Sequence, residues 1–178
     1  VNGENKTIGI CHDSHDIKNG IYLGSKYDDR FYLNASGQTV HAFTGDDYIV
    51  GSKYDDKIIT DNQGNGGNVI NSGKGDDYIA SHNGGDSIDA GAGDDEVYLT
   101  LDDGLPDRVI LGDGQDKLTI DFSGNPTKHS LTVVDLDYED ELIIKNGSVD
   151  VELFGSTAFL YHKGNHVASL IGYAAKFD

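Results

Sequence analysis

A large apolar residue recurs along most of this chain, two places after an acid or amide. Nine residues usually separate one such pair from the next. With the acid or amide placed fifth and the apolar residue seventh, units begin at 25, 34, 43, 52, 64, 73, 82, 91, 103 and 112. The seventh position then reads Phe31, Val40, Ile49, Ile58, Ile70, Ile79, Ile88, Val97, Val109 and Leu118. All are apolar and most are β-branched, a composition that favours strands. The ninth position shares their face, because side chains along a strand alternate with period two. It carries Leu33, Ala42, Ala90, Leu99, Leu111 and Ile120, but also the small residues Gly51, Thr60, Ser72 and Ser81. The pattern predicts short strands around a thin interior, each stabilised only by stacking on the next, as in a solenoid. One coil takes two units, about 18 residues, so units two apart lie over one another.

Two insertions interrupt the beat, Asp61-Asn62-Gln63 and Thr100-Leu101-Asp102. Each adds three residues, which enlarges a turn and leaves the strand register intact. The stretch Gly24-Ser25-Lys26-Tyr27-Asp28-Asp29 returns as Gly51-Ser52-Lys53-Tyr54-Asp55-Asp56, 27 residues or three units later. Periodicity therefore persists where the turns have lost their glycines.

The two-unit coil sorts the fifth-position residues into two ladders. One holds Asp29, Asp47, Asn68, Asp86 and Asp107, the other Gln38, Asp56, Asp77, Asp95 and Asp116. The fullest turns are Gly73-Lys74-Gly75-Asp76-Asp77, Gly91-Ala92-Gly93-Asp94-Asp95 and Gly112-Asp113-Gly114-Gln115-Asp116. Glycine at the first and third places permits a tight turn with carbonyls facing inward. Rungs about 4.8 Å apart would let a cation between two coils take a carboxylate from each. A site of six or more oxygens suits Ca²⁺ better than Mg²⁺, which demands a stricter octahedron. The strongest site is expected between the turns ending at Asp77 and Asp95. The Asp56/Asp77 pair, which spans an insertion, is expected to be weaker or irregular. Gln38 and Asn68 are neutral and should weaken their sites. The fourth-position acids Asp28, Asp46, Asp55, Asp76 and Asp94 are expected to face outward and add only long-range attraction. The bland alternative is that all these acids are solvated turn residues, since Asp and Gly both favour turns.

Charge sharpens the picture. The chain of 178 residues carries 31 acidic and 13 basic side chains, a net charge of −18. A compact state with that charge repels itself, and bound cations would relieve it. Halophilic adaptation predicts scattered acids, whereas these recur in register. Nucleic acid is excluded as a partner, because phosphate backbones require a basic surface. No apolar run is long enough for a transmembrane helix, and no signal peptide is visible at Val1. The single cysteine, Cys11, excludes an internal disulfide. The start at Val1 leads us to expect a piece of a longer protein.

These glycine-aspartate turns resemble those of the RTX family, the calcium-binding nonapeptide-repeat proteins that bacteria export by type I secretion. The resemblance covers about residues 24–120, though the first four units lack the full pair of glycines. It implies an all-β, right-handed parallel β-roll that binds several calcium ions. It also implies a chain that stays largely unfolded at low calcium inside the cell and folds outside it. The metal ligands it implies are Asp29, Asp47, Asp56, Gly73, Gly75, Asp77, Asp86, Gly91, Gly93, Asp95, Asp107, Gly112, Gly114 and Asp116.

Residues 1–23 are read as a lead-in or cap, with 16–24 as a candidate leading half-coil. Residues 24–120 form the roll and 121–178 a β-rich C-terminal cap. Alternating apolar segments at 131–134, 141–144, 149–153, 158–161 and 167–171 predict strands in that cap. Asn146-Gly147 and Lys163-Gly164-Asn165 read as hairpin turns. A cap of this kind would cover the last coil, whose open edge invites aggregation. The resemblance also implies that it nucleates folding and carries or adjoins the export signal.

Catalytic chemistry finds little footing. Cys11-His12-Asp13-Ser14-His15-Asp16 could bind a transition metal, but such clusters are common in solvated loops. No zinc-protease, nucleophile-elbow or phosphate-loop motif occurs. We expect no enzyme, but a calcium-binding repeat domain that folds on secretion and stabilises a larger exported toxin, adhesin or enzyme. Its partners would be calcium and, during export, the type I apparatus, and its place the bacterial surface or medium. The alternative is a carbohydrate- or surface-binding module of an adhesin, contacting a polysaccharide or host surface.

Overall fold

The computed structural model describes residues 20–35, 37–60, 66–101, 105–123 and 131–172. All regular structure among them is β, and no helix there is long and apolar enough to cross a membrane. One sheet of seven strands holds β1 (Ile21–Ser25), β3 (Thr39–Phe43), β5 (Lys57–Thr60), β7 (Tyr78–His82), β9 (Glu96–Thr100), β11 (Lys117–Asp121) and β13 (Glu141–Lys145), in that order. The second begins with β2 (Arg30–Tyr32), β4 (Tyr48–Val50), β6 (Val69–Asn71), β8 (Ser87–Asp89), β10 (Arg108–Ile110) and β12 (Leu131–Val134). It continues through β16 (Asn165–Ile171), β15 (Thr157–His162) and β14 (Asp150–Phe154). From β1 to β13 successive strands alternate between the sheets, and each pairs in parallel with the strand one coil away. The chain is therefore a parallel β-solenoid.

The apolar column sets the register. Val40, Ile58, Ile79, Val97, Leu118 and Leu142 stand opposite one another along the first sheet. Phe31, Ile49, Ile70, Ile88, Val109 and Val133 do so along the second. All except Leu142 are fully buried, and Leu142 is partly buried against the same core. A one-residue slip would expose the whole column, so its apolar content holds the pairing in place.

Parallel stacking reaches beyond both ends of the 24–120 span expected for it. Ahead of that span, Tyr22 of β1 sits opposite Val40 and is buried. Beyond it, β12 and β13 continue the coil as far as Lys145. Only then does the chain form an antiparallel meander, β14–β15–β16, whose last strand lies parallel to β12. Lys163-Gly164 is a two-residue hairpin turn with both φ values positive, 52° and 77°. Asn146-Gly147 is not a hairpin: it carries the chain from the end of β13 across to β14 in the other sheet. The meander is tied to the roll by Phe122, whose ring lies 5.0 Å from the buried His162 ring.

The two edges of the roll differ. Turns leading into the seven-stranded sheet span 33–38, 51–56, 72–77, 90–95, 111–116 and 135–140, six residues every time. Turns leaving that sheet vary from four residues, 26–29, to nine, 122–130. Both insertions fall on this variable edge. Leu101 of the second adds a buried side chain to the core, while Asp61, Asn62, Gln63 and Asp102 lie outside the described residues.

Candidate metal-binding ladders

The fifth-position residues all lie at the turns and are all buried, from 1% exposure at Asp47, Asp95 and Asp116 to 6% at Asp107. They are not solvated turn residues. A buried carboxylate must find donors or a cation, or else take up a proton.

Part of that demand is met by the coil before. Along the six-residue edge, the N–H groups of Asp56, Asp77 and Asp95 donate to Oδ1 of Asp77, Asp95 and Asp116, at 2.7, 2.7 and 2.9 Å. Along the variable edge, Asp29, Asn68 and Asp86 donate to Oδ1 of Asp47, Asp86 and Asp107, each at 2.8 Å. Each side chain thus clips its coil to the one beneath. The Asp56/Asp77 contact is as regular as Asp77/Asp95, contrary to the irregularity expected of it. The reason is that the insertion sits on the opposite edge.

The fourth-position acids form a second set of clips in the reverse sense. Asp76, Asp94 and Gln115 donate their N–H groups to Oδ1 of Asp55, Asp76 and Asp94, at 3.0, 2.9 and 2.9 Å. On the other edge Gly67 donates to Asp46 at 3.0 Å. These acids are outward as expected, but they also bind backbone.

What the clips leave over is the informative part. Asp47 Oδ2, Asp56 Oδ1, Asp77 Oδ2, Asp95 Oδ2 and Asp116 Oδ2 are buried with no hydrogen-bond partner. Four of the five follow one another along the six-residue edge. The Ser72 hydroxyl lies near Asp77, but its single proton goes to the Ala90 carbonyl. Burial pushes the carboxyl of Asp47 up to about 6, Asp77 to about 7, Asp95 to about 8 and Asp116 to about 6. Backbone N–H donors pull the other way, and neighbouring carboxylates add to the rise. Asp86, whose oxygens are all hydrogen-bonded, is raised to about 7 as well, so the rise follows burial, and the bare oxygens are what set the other acids apart.

The glycines of the three full turns make the stack close enough to matter. Gly73, Gly75, Gly91, Gly93, Gly112 and Gly114 all have positive φ, from 100° to 147°. A Cβ on Gly93 would lie 2.1 Å from the Gly75 carbonyl oxygen, and one on Gly91 would lie 2.2 Å from that of Gly73. Lys74, Ala92 and Asp113 bridge in parallel within these turns, so the turns themselves are stacked and hydrogen-bonded.

The two neutral amides also make side-chain bonds of their own. Gln38 closes its own turn: Oε1 accepts the N–H groups of Asn34 and Ala35 at 2.7 and 2.8 Å, and Nε2 donates to Tyr22 Oη at 2.6 Å. Asn68 donates Nδ2 to Asp86 Oδ1 at 3.0 Å. The structure also adds a rung that sequence reasoning missed. Asp140, 4% exposed, accepts the Asp116 N–H at 3.0 Å and extends the six-residue edge by one coil. Its signal was present in Asp140-Glu141-Leu142, which repeats the acid-x-apolar spacing, but 24 residues separate it from Asp116.

Among the described residues, no three His, Cys, Asp or Glu side chains gather into a preformed metal cage. The arrangement is a ladder of single carboxylates one coil apart. Asp29 and Asp107 complete the variable edge; the Ser25 N–H donates to Asp29 Oδ2 at 2.5 Å. The cluster Cys11-His12-Asp13-Ser14-His15-Asp16 lies outside the described residues. No protein-family profile matches this chain, and no curated protein matches it.

Proposed function

We propose that this chain is a calcium-binding repeat domain of the RTX kind, which folds on export into high-calcium surroundings and stabilises a larger exported protein. The observation that carries the reading is the run of buried, unpartnered carboxylate oxygens at Asp56, Asp77, Asp95 and Asp116 along one edge. Four orphaned acids in register would be a heavy cost in a structure held by protein contacts alone. A divalent cation between successive coils would give each a positive partner and offset part of the −18 charge.

Calcium fits this donor set better than its rivals. The available ligands are hard oxygens, with no buried thiol and no paired imidazoles among the described residues to favour zinc or copper. Two carboxylates supply at most four of the six to eight oxygens calcium takes, so carbonyls of the Gly-x-Gly turns would complete the shell. Asp77, Asp95 and Asp116 would hold the ions, with Asp56 at the start of their ladder and Asp47 apart on the other edge. A ligand shared between coils makes binding and stacking one event, so binding energy becomes folding energy.

Circular dichroism tests this. Titrating calcium into chelator-treated protein is expected to raise the β signal, while magnesium at equal concentration leaves it low. An equal response to both ions, or none to either, would remove the reading.

A further inference from the structure

We infer that the rung between Asn68 and Asp86 takes no cation, because an internal amide and hydroxyl already occupy its place, so that this roll is loaded mainly along its six-residue edge. The inference rests on the calcium reading and adds to it where ions do not go.

Asp86 is as deeply buried as the acids of the other edge, at 3% exposure. Its oxygens are nevertheless all provided for. Oδ1 accepts both the backbone N–H of Asn68, at 2.8 Å, and its side-chain Nδ2, at 3.0 Å. Oδ2 accepts the Ser81 hydroxyl at 2.5 Å. Asp77, Asp95 and Asp116 each receive the same backbone N–H on Oδ1, and each retains a bare Oδ2.

The sequence difference is small and specific. Asn68 stands where the other rungs of this edge have a carboxylate, so one wall of the rung is neutral and offers a donor. Its own Oδ1 still accepts the Asp47 N–H at 3.0 Å, so the clip survives the change of residue. Ser81 occupies a ninth position and bridges sideways, 3.0 Å from Thr60 Oγ1 and on to Asp86. The corresponding serine of the other edge, Ser72, donates to a carbonyl instead. A cation entering beside Asp86 would have to break the Asn68 and Ser81 bonds and would find one carboxylate fewer. Among the described residues, the variable edge therefore keeps a single bare oxygen, Asp47 Oδ2, cut off from the rungs above by Asn68.

Counting bound ions by equilibrium dialysis against radioactive calcium tests this, with a calcium-induced β signal required of every variant. Asp86→Asn is expected to bind as many ions as the unaltered protein, and Asp95→Asn at least one fewer. The double change Asn68→Asp with Ser81→Ala, which restores the carboxylate and frees Asp86 Oδ2, is expected to gain an ion. Loss of an ion in Asp86→Asn comparable to that in Asp95→Asn overturns the inference, as does a double variant that gains none. Unaltered protein that binds no calcium would instead overturn the functional reading beneath it.

Discussion

Replacing Asp95 by asparagine is expected to move the stability of the protein in opposite directions with and without calcium. In chelator at pH 8 the variant should melt higher than the unaltered protein. In calcium it should melt lower, with the calcium midpoint raised about tenfold or more, which corresponds to about 1.4 kcal/mol or more. Asp95 is 1% exposed, one of its oxygens has no partner, and burial raises its carboxyl to about 8. Without a cation, ionising it is unfavourable, and an amide of the same shape avoids that cost. The chain already contains the precedent: Asn68 keeps its clip to the Asp47 N–H and donates to the next acid above. The substituted asparagine would do likewise toward Asp116. With calcium, the same change removes a charged ligand from the middle of the ladder. Thermal melts with and without calcium read both signs. A variant destabilised equally in both conditions would mean that Asp95 serves the stack alone.

The metal-free protein should lose stability steadily as pH rises from about 4 to about 8. The folded-state values at Asp47, Asp77, Asp86, Asp95 and Asp116 lie at about 6, 7, 7, 8 and 6, all above the ordinary 3.8. Between those limits the folded state holds protons that the unfolded chain has released. The resulting stabilisation is full below the unfolded value and is lost as pH climbs through the folded ones. The slope is about 1.4 kcal/mol per pH unit for each proton held only by the folded state. Calcium should invert the trend, because it needs the ionised carboxylates and displaces their protons. Urea midpoints across pH 5–8 in chelator, and again in calcium, test this. A metal-free stability that is flat or rising over that range would contradict it.

The strand pattern was legible because it is local in sequence. Acid-x-apolar spacing placed ten strands, and every residue of the seventh-position column proved buried. The pairing of coils followed from counting units, and the insertions did not disturb it. What could not be read was where coil length is absorbed. The bonds that decide this join residues 18 to 24 apart, and nothing in a single turn reports them. For that reason Asp56/Asp77 was expected to be weaker or irregular although its clip matches that of Asp77/Asp95, and Asp140 was overlooked beyond a long connection. Asn68 and Gln38 were read by charge alone, as poor ligands. Their second role, as donors that close a rung or a turn, depends on which groups folding brings beside them. Asn146-Gly147 shows the same limit: the dipeptide favours a tight reversal, and the sheet partner of the next strand decided that it became a corner.

Hydrogen exchange read by mass spectrometry tests the central claim most directly, in chelator, in magnesium and in calcium. The amides of Asp56, Asp77 and Asp95 donate to the orphaned carboxylates of the coil above, so they report the state of the ladder itself. Turns 72–77, 90–95 and 111–116 are expected to exchange readily in chelator and in magnesium and to become protected in calcium. Equal protection of those turns in all three conditions would show that the ladder is held by protein contacts alone, and would contradict the account.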